Sequence, residues 1–317
     1  MLIRLANVAV HLQSDSELIR AAWQKIFANA PQDIDVVKPA TQLSLELQLV
    51  RALSPPPAAE CIYHDPQGIV DAYHQGATRA ITLHFRHGAL VRLSPEGPSE
   101  ARGEVTMDIF RHGHLEDVTF TALAPLLRRL SCYLLHAAAV TTPAGAVLLV
   151  GPSHSGKTTT GLALVLAGWK HLASDVVVLS HSKTGIVAHP TAGVLSARTR
   201  SFELLPKLHE LLQERRRTGP DVEQEHLTIA PKQWSSAMPV TTICFPQVTG
   251  ESPSSLQRLE GGLALAQLMQ ESVDRWDADA LLQHIEFLTT LSRQVRHYRL
   301  ALGPDVERLP QLLQGTL

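Results

Sequence analysis

Residues 146–168 read AVLLVGPSHSGKTTTGLALVLAG, and this stretch determines which fold the sequence predicts. Four residues within it have the GxxxxGK[ST] spacing of a phosphate-binding loop: Gly151, Gly156, Lys157 and Thr158. The apolar residues 147–150 predict a strand that leads into the loop. Residues 158–167 predict a helix that leaves the loop and ends at Gly168. A strand, a glycine-rich turn and a helix are the context in which this motif binds phosphate.

Each part of the motif has a chemical purpose. The glycines allow a tight bend in which successive backbone N–H groups point at phosphate oxygens, and the helix adds its positive N-terminal end. Lys157 can reach the β- and γ-phosphates, and the Thr158 hydroxyl can bind Mg²⁺. The motif therefore predicts ATP and Mg²⁺ as cofactors, with a glycine-rich turn that binds nothing as the alternative. The predicted nucleotide-binding residues are Gly151, Pro152, Ser153, His154, Ser155, Gly156, Lys157, Thr158 and Thr159.

A hairpin is predicted immediately before the loop. Residues 136–142 (HAAAVTT) and 146–151 (AVLLVG) are apolar and are joined by the turn-forming PAG. If two or three residues form the turn, the register places His136 opposite Gly151 or Pro152, beside the mouth of the loop. There His136 can contact a γ-phosphate or an acceptor. The alternative is that the apolar helix predicted from 122 to 135 simply ends at His136.

A carboxylate is predicted to return to the loop on the next strand. Residues 169–180 (WKHLASDVVVLS) predict a strand that carries Asp175, 18 residues after Lys157. An aspartate followed by three valines is costly to bury without a partner, so a functional role is favoured. The predicted catalytic residues are His136, Lys157 and Asp175, and the predicted metal ligands are Thr158 and Asp175.

Two arginines further along the chain are candidate phosphate ligands. Arg198 and Arg200 follow a segment that predicts a strand, and guanidinium groups bind phosphate well. Exposed arginines usually have no such role, so both interpretations stay open.

Composition excludes several classes of protein. The 317 residues include 28 Lys+Arg and 30 Asp+Glu, which gives a formal net charge of -2 and no basic excess for a nucleic-acid or membrane-surface binder. With 44% hydrophobic and 18% charged residues the chain is expected to fold. Three widely spaced cysteines, Cys61, Cys132 and Cys244, and the lack of an 18-residue apolar run favour a cytoplasmic protein without disulfides or membrane spans.

The sequence predicts an α/β protein, α+β overall, with two domains. Residues 1–122 predict a smaller N-terminal α+β domain for substrate recognition or assembly, and residues 123–317 predict the phosphate-loop domain. In the first domain the patterns indicate a helix at 14–29, strands at 60–65, 80–85 and 89–94, and a hairpin at 105–120. In the second they indicate strands at 240–245 and 297–301 and a helix at 277–295.

The run from His136 to Leu179, HAAAVTTPAGAVLLVGPSHSGKTTTGLALVLAGWKHLASDVVVL, resembles the HPr kinase/phosphorylase family and the looser HPr-kinase-related kinases. The resemblance covers about residues 125–317 and is specific around 136–180. It implies a P-loop kinase domain with a fold related to phosphoenolpyruvate carboxykinase, and phosphoryl transfer from ATP to a serine hydroxyl. Because members of that family assemble as hexamers, it also implies a possible homo-oligomer.

Residue by residue, His136 matches the family histidine near the γ-phosphate, and the stretch from Gly151 to Thr158 matches the phosphate loop. Asp175 matches the second of two adjacent family aspartates, whereas Ser174 stands where the first would be. The loop also differs from that of true HPr kinases, which reads closer to GxSGxGKSE. A serine cannot replace a carboxylate as a base.

These observations favour an ATP-dependent kinase that transfers the phosphoryl group to a hydroxyl. The expected acceptor is serine in a protein or peptide. One alternative is a nucleotide-binding regulatory module, or a degenerate kinase with little phosphotransfer, as Ser174 suggests. Another is a small-molecule kinase that acts on free serine or a similar metabolite. The expected partners are thus a nucleoside triphosphate and a protein or peptide acceptor, with no nucleic acid and no membrane.

Overall fold

The computed structural model describes residues 1–28, 42–65, 68–75, 80–93, 99–111, 113–183, 185–191, 195–217, 223–227, 229–272 and 277–315. The chain has mixed α/β structure with two large sheets and divides into two compact units. The N-terminal unit comprises Met1–Ser131 and Asp274–Leu281, and the C-terminal unit comprises Cys132–Val273 and Leu282–Leu317. Among the described helices, none combines the length and the apolar character that a membrane span requires.

The N-terminal unit is built on one eight-stranded sheet. Its strands are β1 Leu2–Leu5, β2 Val8–Gln13, β3 Gln42–Leu49, β4 Glu60–His64, β5 Val70–Gln75, β6 Ala80–Phe85, β7 Ala89–Leu93 and β8 Glu100–Val105. Their order in the sheet is β1-β2-β3-β8-β7-β6-β5-β4. The helices are α1 Glu17–Ile26, α2 Asp108–Arg111 and α3 Leu115–Arg129.

The predicted hairpin at 105–120 is wrong, because α2 and α3 occupy most of this segment. The valine and threonine content favoured strands, but α3 buries a stripe at helical spacing that includes Val118 and Ala122. On the same helix Phe120 packs on Phe27, with ring centroids 5.7 Å apart. The burial of this face overrides the weak local propensity for strand.

The C-terminal unit contains the remaining elements. Its strands are β9 Cys132–Thr142, β10 Gly145–Val150, β11 Lys170–Ala173, β12 Val176–Ser182, β13 Gly185–His189, β14 Ser196–Arg198, β15 Leu212–Arg217, β16 Glu223–Leu227, β17 Met238–Val248, β18 Ser255–Arg258 and β19 Arg296–Leu302. Its helices are α4 Lys157–Leu166, α5 Thr199–Leu204, α6 Gly261–Gln270, α7 Ala278–Gln294 and α8 Leu309–Gln314, and α7 begins within the N-terminal unit. Short 3-10 turns lie at Pro206–Leu211, Pro231–Gln233 and Val306–Arg308.

The large sheet of this unit has the order β10-β9-β12-β13-β17-β19-β18, and β11 pairs with β9. β10 also pairs with β17 in parallel. The pairings therefore close on themselves, in the order β10, β9, β12, β13, β17 and back to β10. The strands β14, β16 and β15 form a separate small sheet.

Both faces of β10 are buried, which explains its uninterrupted apolar sequence. Leu148 and Val150 belong to one core cluster, which includes residues of α6 and α7. Val147 and Leu149 belong to a second cluster, which includes residues of α4 and α8. Since strand side chains alternate between faces, a strand covered on both sides has no need of polar positions.

Three predicted boundaries differ from the structure. The helix expected up to residue 135 ends at Arg129, and β9 begins at Cys132. The strand expected over 169–180 is interrupted between Ala173 and Val176, where β11 ends and β12 begins. The domain boundary placed at residue 122 falls inside α3, and the compact units divide after Ser131.

Candidate active site

The loop at 151–156 joins β10 to α4, so the strand, the turn and the helix follow one another as the motif predicts. Gly156 directly precedes α4 and has φ +101°, which is the left-handed region that favours glycine. A Cβ atom there would also collide with the side chain of Leu302. The first backbone N–H groups of α4 have no partner within the helix, and this end of a helix favours an anion.

Lys157 is buried beneath the loop. Its Nζ donates to the carbonyl oxygens of Gly151 at 2.5 Å and Pro152 at 3.0 Å. Burial lowers the pKa of Lys157, and the negative charges of Asp175 and Glu271 partly oppose this shift. A buried ammonium group with two nearby carboxylates is suited to a polyanionic ligand, which would supply further compensating charge.

The other loop residues differ in exposure. Pro152, Ser153 and His154 are exposed, and His154 has φ +67°. The ring nitrogens of His154 lie 2.9 and 3.1 Å from Nη1 of Arg198. Arg198, a candidate phosphate ligand, is therefore next to the loop, whereas Arg200 pairs with Glu203 at 2.7 Å.

Hydroxyl groups continue from the loop into α4. Ser155 Oγ is buried and has no hydrogen-bond partner among the residues that the structure describes. Thr158, the second residue of α4, is half-buried, and Thr159 Oγ1 lies 2.7 Å from Ser201 Oγ. An unpartnered buried hydroxyl beside Gly151 is the kind of group that a ligand in the loop would satisfy.

The hairpin register brings His136 to the loop as predicted. The strands β9 and β10 pair from Thr142 opposite Gly145 to Ala137 opposite Val150, so the next position in this register sets His136 against Gly151. His136 lies inside β9, which excludes the alternative in which it ends a helix.

Asp175 reaches the same part of β9 from the opposite side. Its carbonyl oxygen accepts the N–H of Ala137 at 2.9 Å, and the following residue, Val176, pairs with His136. The Asp175 side chain is exposed. The strand pairings therefore bring His136, Asp175 and the start of the loop close together, as the hairpin register and the spacing predicted.

Glu271 is a member of this cluster that sequence reasoning missed. It follows α6, and its Oε2 lies 3.0 Å from Nδ1 of His136. Its backbone carbonyl accepts the N–H of His136, also at 3.0 Å. Since 135 residues separate the two, no local pattern in the sequence could have indicated the contact.

Ser174 points toward a buried histidine. Its Oγ lies 3.2 Å from Nε2 of His171, whose ring packs edge-on against Trp234. Desolvation lowers the pKa of His171 to about 4, so its imidazole is neutral at physiological pH. The hydroxyl of Ser174 thus has a neutral hydrogen-bond partner within the protein.

The donor set fits Mg²⁺ in the form that phosphate-binding loops use. No cluster of three or more His, Cys, Asp or Glu side chains able to hold a metal occurs within the described parts of the chain. Mg²⁺ is commonly held by one or two protein oxygens together with substrate phosphates and waters, so it needs no such cluster. A hydroxyl on the first turn of α4, from Thr158, and the exposed carboxylate of Asp175 are oxygen donors of that kind.

No protein-family model and no curated protein matches the chain. The solved structures that match include the Hpr(Ser) kinase/phosphatase from Coxiella burnetii, at 13% sequence identity. That match covers 57% of this chain and 91% of the other, with a TM-score of 0.28. At this score the similarity carries no conclusion about fold or function.

Proposed function

We propose that the chain is an ATP- and Mg²⁺-dependent kinase that transfers the γ-phosphoryl group to a hydroxyl, with serine in a protein or peptide as the acceptor. One observation carries the proposal. Lys157 is buried under a glycine loop at the start of α4, and the charges of Asp175 and Glu271 act on it. In phosphoryl transfer, positioning and charge stabilisation supply most of the catalysis, and these groups supply both.

Each group has a defined role in this proposal. The loop N–H groups and Lys157 bind the triphosphate and stabilise the charge on the transferring phosphoryl group. Thr158 and Asp175 would hold Mg²⁺, which would neutralise phosphate charge when bound. His136, opposite Gly151, faces the acceptor.

Transfer of label from [γ-³²P]ATP tests the proposal, with a serine-centred peptide library and free L-serine as acceptors. We expect Lys157→Ala and Asp175→Asn each to lower transfer by about 10²-fold or more, the size typical for loss of a charge-stabilising group. Lys170→Ala is the matched control, because Lys170 is exposed on β11. Transfer that is indifferent to both changes would reject the proposal. Label on L-serine but on no peptide would assign a small-molecule kinase.

The second candidate is a nucleotide-binding module with little phosphotransfer, and the observation that favours it is Ser174 at a position adjoining Asp175. Thermal unfolding with Mg·ATP, Mg·GTP or no nucleotide measures binding, because a ligand that binds only the folded state raises its stability. Stabilisation without transfer, together with a large gain of transfer in Ser174→Asp, would support this candidate over the first.

A further inference from the structure

Glu271 contacts His136 twice, once at the imidazole ring and once at the backbone. The carboxylate Oε2 lies 3.0 Å from Nδ1, and the Glu271 backbone carbonyl accepts the His136 N–H at 3.0 Å. The neighbouring residues Leu135 and Ser272 form an isolated antiparallel β-bridge. Backbone hydrogen bonding therefore joins the segment after α6 to β9 at the position where the Glu271 carboxylate contacts the His136 ring.

This contact determines which ring nitrogen can accept a proton. A carboxylate has no hydrogen to donate, so Nδ1 of His136 carries the proton in the pair and the neutral ring has its lone pair on Nε2. The His136 side chain is 32% exposed and that of Glu271 is 13% exposed. The imidazole is thus accessible to a substrate, while the carboxylate behind it is largely covered.

The position next to Asp175 does not offer a base. Ser174 has a hydroxyl in place of a carboxylate, and that hydroxyl already lies 3.2 Å from Nε2 of His171. A serine hydroxyl does not take up a proton near neutral pH. Because Asp175 is assigned to Mg²⁺ in the proposed function, another group has to accept the proton of the acceptor hydroxyl.

We propose that His136 is the general base of the transfer and that Glu271 is its positioning residue. This inference rests on the proposed kinase function. The acceptor O–H gives its proton to Nε2 of His136 as its oxygen forms a bond to the γ-phosphorus. The bond from that phosphorus to the β,γ-bridging oxygen breaks, and its electron pair leaves with ADP. The imidazolium, stabilised by Glu271, later releases the proton to water.

Steady-state kinetics of label transfer from Mg·[γ-³²P]ATP to the serine-centred peptide library test the pair. In Glu271→Gln the side-chain amide can donate to Nδ1, which favours the tautomer with the proton on Nε2 and blocks proton uptake. We expect kcat to fall about 10²-fold, within the range of general-base catalysis, with the KM for ATP nearly unchanged. Glu271→Asp, which keeps the charge, should recover part of kcat.

Two comparisons separate positioning from a general structural effect. Glu260→Gln is the matched control, because Glu260 is exposed and precedes α6 at its other end. It should keep the wild-type kcat. The double variant Glu271→Gln/His136→Asn should be no slower than His136→Asn alone, since Glu271 acts through His136.

The outcomes distinguish this inference from the proposed function. If Glu271→Gln transfers label with the wild-type kcat, the role of Glu271 is overturned and the kinase is left intact. The same holds if the losses of kcat in the two single variants multiply in the double variant. A wild type that transfers nothing to peptide or L-serine rejects the kinase and the pair together. A lower kcat in Glu271→Gln would also overturn the inference if Mg·ATP no longer stabilised the variant against thermal unfolding. The residue would then support nucleotide binding.

Discussion

The strands β9 and β11 of the C-terminal unit each carry a histidine, and the two histidines have different surroundings. His136 on β9 is 32% exposed and contacts a carboxylate. His171 on β11, a strand paired with β9, is buried, contacts a serine hydroxyl and packs against Trp234. The same side chain is therefore accessible beside a carboxylate at one place and, with its pKa lowered by burial, kept neutral at the other. What an imidazole can do is determined by its neighbours, and its residue type alone does not indicate which case applies.

The largest expected effect is on catalysis. His136→Asn should lower kcat for label transfer by about 10³-fold, because removal of a general base costs 10² to 10⁴ in rate. His171→Gln should leave kcat nearly unchanged, since Gln preserves a polar atom near the Nε2 position and His171 has no role in proton transfer. Similar losses of kcat in His136→Asn and His171→Gln would show that the surroundings of the two histidines do not differ as the structure indicates.

The second effect is on acid stability and concerns His171. Its pKa lies near 4 in the folded state against 6.5 in the unfolded chain, so the unfolded state binds the proton more tightly. Its stabilising contribution is complete above the unfolded pKa and is lost as pH falls from 6.5 to about 4. The loss amounts to about 3 kcal/mol of unfolding free energy.

Urea unfolding of wild type and His171→Gln across that interval measures this contribution. The variant, which has no titrating group at 171, should lose about 3 kcal/mol less than the wild type. Parallel pH dependence in the two proteins would mean that the folded and unfolded states bind the proton at His171 equally tightly.

The smallest effect concerns the hydroxyl that His171 contacts. Ser174→Ala removes a hydrogen-bond partner from a buried ring nitrogen, and we expect a loss of about 1–2 kcal/mol in unfolding free energy at neutral pH. Ser236→Ala, at an exposed serine of the same unit, is the control and should be neutral. An unchanged stability in Ser174→Ala would indicate that water replaces the lost hydroxyl and that the His171 region is less enclosed than it is in the structure.

Local sequence predicted the centre of the site well. The strand before Gly151, the loop and the helix that begins at Lys157 follow from residues that are adjacent in the chain. The sequence placed His136 opposite Gly151 or Pro152, and the two-residue turn of the structure selects Gly151.

Other features depended on packing and were predicted wrongly or not at all. The segment at 105–120 forms helix because its apolar stripe is buried, although its residues favour strand. The chain leaves the strand at Ser174 and Asp175, two residues that are common in turns but lie here inside an otherwise strand-like segment. The boundary near residue 122 was placed by a change in sequence texture, which cannot detect a helix that continues across it.

By itself the sequence determined the phosphate-loop motif, the strand and helix around it, and the approach of His136 and Asp175, because all of these lie within about 40 residues and are governed by turn lengths and periodicity. Only the tertiary structure decided that Glu271 meets His136 and that Ser174 meets a buried His171. Both depend on solvent exclusion and on which distant segments pack together. Such contacts set the charge and the proton position of a side chain, and no local pattern records them.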